Sequence, residues 1–76
     1  MKTSDFLLLL DELMELPAGT LKGPEMLGSL SQWDSLASVG FIALVDRHLG
    51  MAADPGKIAA AETVDDLVAL VKEKLQ

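Results

Sequence analysis

Few side chains in this 76-residue sequence are of a type and spacing that could do chemistry. A nucleophile–base–acid set would use the single histidine, His48, with Asp46 nearby and Ser35 or Ser38 as nucleophile. On one continuous helix, however, Ser35 lies about 20 Å from His48 and Ser38 about 15 Å, at 1.5 Å rise per residue. Neither serine reaches the imidazole, and His48 reads as a surface residue favoured at a helix C-terminus. The acidic pairs Asp11-Glu12 and Asp65-Asp66 are adjacent on helical segments, so their carboxylates diverge and make a poor metal site. No calcium-type loop and no glycine-rich phosphate loop is present. Cysteine is absent, which excludes disulfides and thiolate metal ligands. No catalytic residue and no metal ligand is expected.

Trp33-Asp34-Ser35-Leu36 remains. It holds the only Trp and places a serine where a long connection gives way to a helix. Such a serine has two uses. Either it or Asp34 caps the helix, or its hydroxyl carries a phosphodiester, which the free N–H groups and positive dipole of a helix N-terminus favour.

The elements that must position this stretch follow from apolar periodicity. Phe6, Leu7, Leu10, Leu13 and Met14 predict a first helix, capped by Thr3 or Ser4 and ended at about Leu16 by Pro17 and Gly19. Asp11, Glu12 and Glu15 fall mostly on its other face. Residues 17–34 read as a long loop, pinned to the core by Leu21, Met26, Leu27 and Leu30. A second helix starts at Asp34 or Ser35, has an apolar face of Leu36, Val39, Ile42, Ala43 and Val45 with Phe41 and Leu44 extending the stripe, and stops at Leu49-Gly50. Gly40, in its middle, implies a close approach to the backbone or simple tolerance. Asp54-Pro55-Gly56 reads as a turn, followed by a short helix over 57–61 that turns Ile58 inward. Thr63 caps the last helix, with Asp66 completing a capping box and Val64, Leu67, Val68, Leu70, Val71 and Leu75 forming its buried stripe. The fold expected is all-α: a small four-helix bundle of three long helices and one short one, with a long loop between the first two.

Size and charge bound the rest. Residues 1–76 make one domain, able to bury roughly 60% of its unfolded surface. Twelve acidic against six scattered basic residues give a net charge of −6. That balance argues against nucleic acid and toward partners with basic patches, or simply toward solubility. The apolar run Leu7–Leu10 is too short for a signal-peptide core and is followed by acids, and no stretch approaches membrane-spanning length. A cytoplasmic monomer without membrane insertion is expected.

The sequence resembles the acyl carrier and peptidyl carrier protein family, the phosphopantetheine-binding proteins. Asp34-Ser35-Leu36, set in Leu30-Ser31-Gln32-Trp33-Asp34-Ser35-Leu36, carries the resemblance, together with the helix order, the long first loop and the Thr63-Val64-Asp65-Asp66-Leu67 opening of the last helix. It spans essentially the whole chain. The resemblance implies that Ser35 takes a 4′-phosphopantetheine arm from coenzyme A through a phosphopantetheinyl transferase (holo synthase). The arm's thiol would then hold acyl or aminoacyl groups as thioesters, so the reactive sulfur arrives with the prosthetic group in a chain that has none of its own. Asp34 matches the acidic residue implicated in metal-assisted arm transfer, and Leu36 matches a hydrophobic contact for partner enzymes. Trp33, Val39, Gly40 and Asp46 are further candidates for that partner face.

The implied partners are a loading ligase and downstream synthases or transferases of fatty-acid, polyketide, nonribosomal-peptide or other specialised synthesis. The chain departs from fatty-acid carriers on helix two, where Ala37, Gly40 and Arg47 occupy places usually acidic and Asp46 alone is retained. A specialised stand-alone carrier is therefore the expectation, a protein modified and used by enzymes and not itself one. Val39, Ile42, Met51, Ile58, Ala61 and Val64 either line an acyl pocket between helices two and three or form ordinary core. The alternative function is a non-catalytic helical interaction module with the same fold and no modification.

Overall fold

Four α-helices and two short 3₁₀ turns make up the chain, with no strand beyond one isolated bridge pair. The computed structural model describes all 76 residues. Helix α1 spans Thr3–Leu13, α2 Ser35–Leu49, α3 Pro55–Ala60 and α4 Val64–Leu70, with 3₁₀ turns at Leu27–Ser29 and Lys72–Lys74. The helices enclose one apolar core in a body with a radius of gyration of 11.0 Å. Phe6 and Leu10 of α1, Phe41 and Val45 of α2, Ile58 of α3, and Val64 and Leu67 of α4 meet there, with Leu21 and Leu27 inserted from the long loop. Burying each large side chain contributes about 1.5–3 kcal/mol.

Helix α1 differs from expectation at both ends. Lys2 occupies the N-cap position with no side-chain bond, so neither Thr3 nor Ser4 caps it. Its C-terminus comes at Leu13, three residues before the expected Leu16. Glu15 adopts a left-handed backbone, φ 57°. The N–H of Leu16 returns to the Asp11 carbonyl at 2.8 Å and that of Glu15 to the Glu12 carbonyl at 3.1 Å, the paired bonds of a Schellman stop. The usual glycine is replaced by a glutamate, which hides the stop from a reading of residue types.

Asp11 is the second correction. It is buried, 1% exposed, and not on an outer face. Its carboxylate accepts from the Gly19 N–H at 2.8 Å and the Leu21 N–H at 2.9 Å, so it folds the start of the long loop back onto α1. Asp11→Ala strips two backbone donors of a charged acceptor. The expected loss is about 3 kcal/mol, read as a lower urea midpoint at unchanged slope.

The rest of the loop is tied to the start of α4. Leu27 N–H donates to the Glu62 carbonyl (2.8 Å), Val64 N–H to that of Glu25 (3.0 Å) and Asp65 N–H to that of Gly23 (2.8 Å), so residues 23–27 run antiparallel to 62–65. Gly23 has φ +126°, and a Cβ there would collide with the Asp65 carboxylate. Leu21 and Leu27 are buried and Leu30 is partly so, but Met26, expected to pin the loop, is 50% exposed.

The remaining helix ends are local capping chemistry. Asp54 caps α3 by accepting from the Gly56 N–H at 2.8 Å, so Asp54-Pro55-Gly56 is the opening of that helix and not a separate turn. Thr63 and Asp66 form the expected capping box on α4. The last helix gives way at Val71 to 3₁₀ geometry, with Lys74 N–H on the Val71 carbonyl, so it ends at Leu70 and not near Leu75.

Five of the twelve acidic side chains — Asp11, Glu25, Asp34, Asp54 and Asp66 — thus accept backbone N–H bonds. Much of the negative charge is spent on holding loops and caps. Burial opposes ionisation of Glu25, but the N–H groups of Lys22, Gly23 and its own backbone, with the Lys22 charge, hold its carboxyl below the ordinary 4.5. The N–H groups of Glu62 and Thr63, with the Thr63 hydroxyl, likewise hold Asp66 below 3.8 against slight desolvation. Both folded values lie below the unfolded ones, so their stabilisation is complete above those ordinary values and is lost as pH falls through the lower folded values. The expected melting temperature is level from neutral pH down to about pH 5 and drops below about pH 4. The drop should be shallower in the Glu25→Gln/Asp66→Asn double variant.

Candidate functional site

At the start of α2 the capping residue is Asp34 and not Ser35. Asp34 is the N-cap of α2, with extended backbone (φ −126°, ψ −172°), and its Oδ1 accepts from the Ala37 N–H at 2.8 Å. Its carbonyl takes the first helical bond, from the Ser38 N–H at 3.0 Å. The Ser38 hydroxyl leans on that same carbonyl at 3.3 Å. Ser35 is the first helical residue, exposed, and its hydroxyl stands outside the capping bonds. A helix start with its cap already supplied leaves the serine free for covalent chemistry, beside first-turn N–H groups that favour an attached phosphate.

The loop before the serine is fixed by Trp33. Its N–H donates to the Leu30 carbonyl at 3.0 Å, and its half-buried ring meets Phe41 edge-on, with centroids 6.2 Å apart at 82°. Phe41 makes a matching contact with Phe6 of α1, at 6.1 Å and 80°. Loop, α1 and α2 are therefore locked together at Phe41, six residues beyond the serine. Edge-to-face pairs of this kind add about 0.5–1.5 kcal/mol beyond area burial.

Downstream, Leu36 is 79% exposed and Val39 62%, three residues apart on one face of α2. They are the most exposed of the large hydrophobic side chains and adjoin Ser35. The other partner-face candidates are placed differently. Asp46 is exposed but lies in the last turn of α2, about 16 Å along the helix. Gly40 is half-buried and faces Leu13 of α1. A Cβ on it would stand 2.6 Å from Leu13 Cδ1, so the close backbone approach left open by the sequence is to α1. His48 and Arg47 are exposed at the far end of α2, out of reach of Ser35.

The six acyl-pocket candidates do not surround a common cavity among the main depressions of the surface. Ile58 and Val64 are fully packed in the core. Ile42, Met51 and Ala61 are partly buried against it, and Val39 is largely exposed. Two depressions lie instead along the α1–α2 crossing. One, of about 420 Å³, begins at Asp34 and Leu36 and passes Val39. The other, of about 380 Å³, is flanked by Leu9, Leu44, Arg47 and His48. They share Leu13, Gly40 and Ala43, and form one trough. Its only sequence signal was the pair of small residues at 40 and 43.

No three His, Cys, Asp or Glu side chains converge into a metal-holding cluster, and no helix is long and apolar enough to cross a membrane. No protein-family model matches the chain, and no curated protein or solved structure matches it either.

Proposed function

We propose that this chain is a carrier protein in which Ser35 holds a 4′-phosphopantetheine arm and presents thioester-bound acyl or aminoacyl groups to partner enzymes. The observation that carries the reading is the division of labour at the start of α2. Asp34 supplies the cap, and the exposed Ser35 hydroxyl is left without a structural duty. The four-helix arrangement with a long, pinned first loop is consistent with the same reading.

The chemistry asked of the chain is small. Ser35 Oγ attacks the β-phosphorus of coenzyme A, the bond to the bridging oxygen breaks, and adenosine 3′,5′-bisphosphate departs as the new O–P bond forms. The serine proton passes to a base on the phosphopantetheinyl transferase. Asp34, on the adjacent residue, is placed to help hold the divalent cation that the transferase brings to the diphosphate. Leu36 and Val39 offer the transferase and later partners an apolar contact next to the attachment point. The arm supplies the thiol that the chain lacks, and a loading ligase and downstream synthases supply the bond-making steps.

Protein isolated from its native cells tests this reading. The peptide containing Ser35 is expected to carry the arm, with or without an acyl group, by mass spectrometry. Unmodified Ser35 throughout growth, together with full function of Ser35→Ala in those cells, would leave an interaction module as the better description.

A further inference from the structure

Resting on the carrier reading, we infer that the arm and a short acyl cargo fold back into the trough between α1 and α2, and not into the space between α2 and α3. The trough opens beside the attachment point, because Asp34 and Leu36, the two neighbours of Ser35, form its near end. From there it follows α2 past Gly40 and Ala43 to Arg47, about 18 Å from Ser35 along the helix. An arm tethered at Ser35 therefore finds the trough without crossing any other element.

The floor and walls suit that occupant. Leu13 lines both depressions, and Gly40, lacking a Cβ, lets it pack against α2 there. Leu36 and Val39 give the near part an apolar wall, and Leu9 and Leu44 continue it. The apolar stretch ends at Glu12, Arg47 and His48, which limits the cargo to a short chain. Ile58 of α3 and Val64 of α4, by contrast, are packed into the core at 3% and 0% exposure.

The test loads the isotopically labelled full chain with butyryl-coenzyme A and a promiscuous phosphopantetheinyl transferase, checks the mass, and compares amide resonances before and after. The expected shifts are largest at Leu13, Gly40, Ala43 and Leu44. They are lost in Ala43→Trp, which fills the trough from an exposed position, and kept in Ala52→Trp, which does not line it. Shifts confined to Ser35 and its sequence neighbours, or appearing at Met51, Ile58 and Ala61, would overturn the trough while leaving the attachment intact. Failure to gain mass would count against the attachment instead. In that case the Ser35→Cys variant, whose new thiol is the only one in the chain, is alkylated with N-octylmaleimide. Shifts at the same four residues would uphold the trough, and none there would sink it.

Discussion

Ser35→Ala is expected to abolish arm transfer completely while leaving stability within about 0.5 kcal/mol of wild type. The two halves of that result come from one geometry. The α2 cap belongs to Asp34, whose carboxylate holds the Ala37 N–H, and whose carbonyl accepts from Ser38. Nothing in those bonds involves the Ser35 hydroxyl, the residue is exposed, and alanine is a good first helical residue. The nearest rival acceptor, Ser38, is partly buried and leans on the Asp34 carbonyl, one helical turn inside the helix. Intact-mass spectrometry after transferase treatment, alongside a thermal melt, reads both halves. A modified Ser35→Ala chain would move the site elsewhere, and a large drop in melting temperature would mean that Ser35 is part of the cap after all.

Phe41→Ala is expected to cost about 3–5 kcal/mol. The ring is fully buried and makes edge-to-face contacts with Phe6 of α1 on one side and Trp33 of the long loop on the other. Removing it opens a cavity and frees two aromatic rings in one step. Domains this small have little stability in reserve, at the lower end of about 5–15 kcal/mol, so the variant should be largely unfolded at 37 °C. Trp33 is the only Trp, and its fluorescence reports the change directly. Phe41→Leu keeps most of the volume and should lose less, about 1.5 kcal/mol. A fully stable Phe41→Ala chain would show that the aromatic chain from α1 to the loop does not hold the serine's surroundings in place.

The parts of this structure that were legible in the sequence are those set by near neighbours. The Thr63–Asp66 capping box, the Gly50 stop and the start of α2 each need only residues within one turn, and each stands where the residue types point. The apolar stripes of α1 and α4 were legible for the same reason, but that of α2 was not: Ala37, Phe41 and Val45 turn inward, while Leu36, Val39 and Ala43, expected on its apolar face, are exposed. What escaped depends on contacts across the fold. Nothing in Asp11-Glu12 says which carboxylate turns inward. That is decided when Gly19 and Leu21 return to α1 bearing unpaired N–H groups. The α1 stop uses a left-handed Glu15, a residue type that gives no warning.

The α1–α2 trough arises because Gly40 and Leu13, 27 positions apart, meet at a helix crossing. At the candidate site the sequence named both residues but not their roles. Either Asp34 or Ser35 satisfied the pattern of a cap, and only the hydrogen bond to Ala37 assigns that role to Asp34.

The most direct measurement of the central claim is the intact mass of the wild-type chain after incubation with coenzyme A, Mg²⁺ and a promiscuous phosphopantetheinyl transferase, beside a known carrier as control. The expected result is quantitative gain of one phosphopantetheine arm, mapped to Ser35 by fragmentation. An unchanged mass under conditions that convert the control would contradict the assignment of this chain as a carrier.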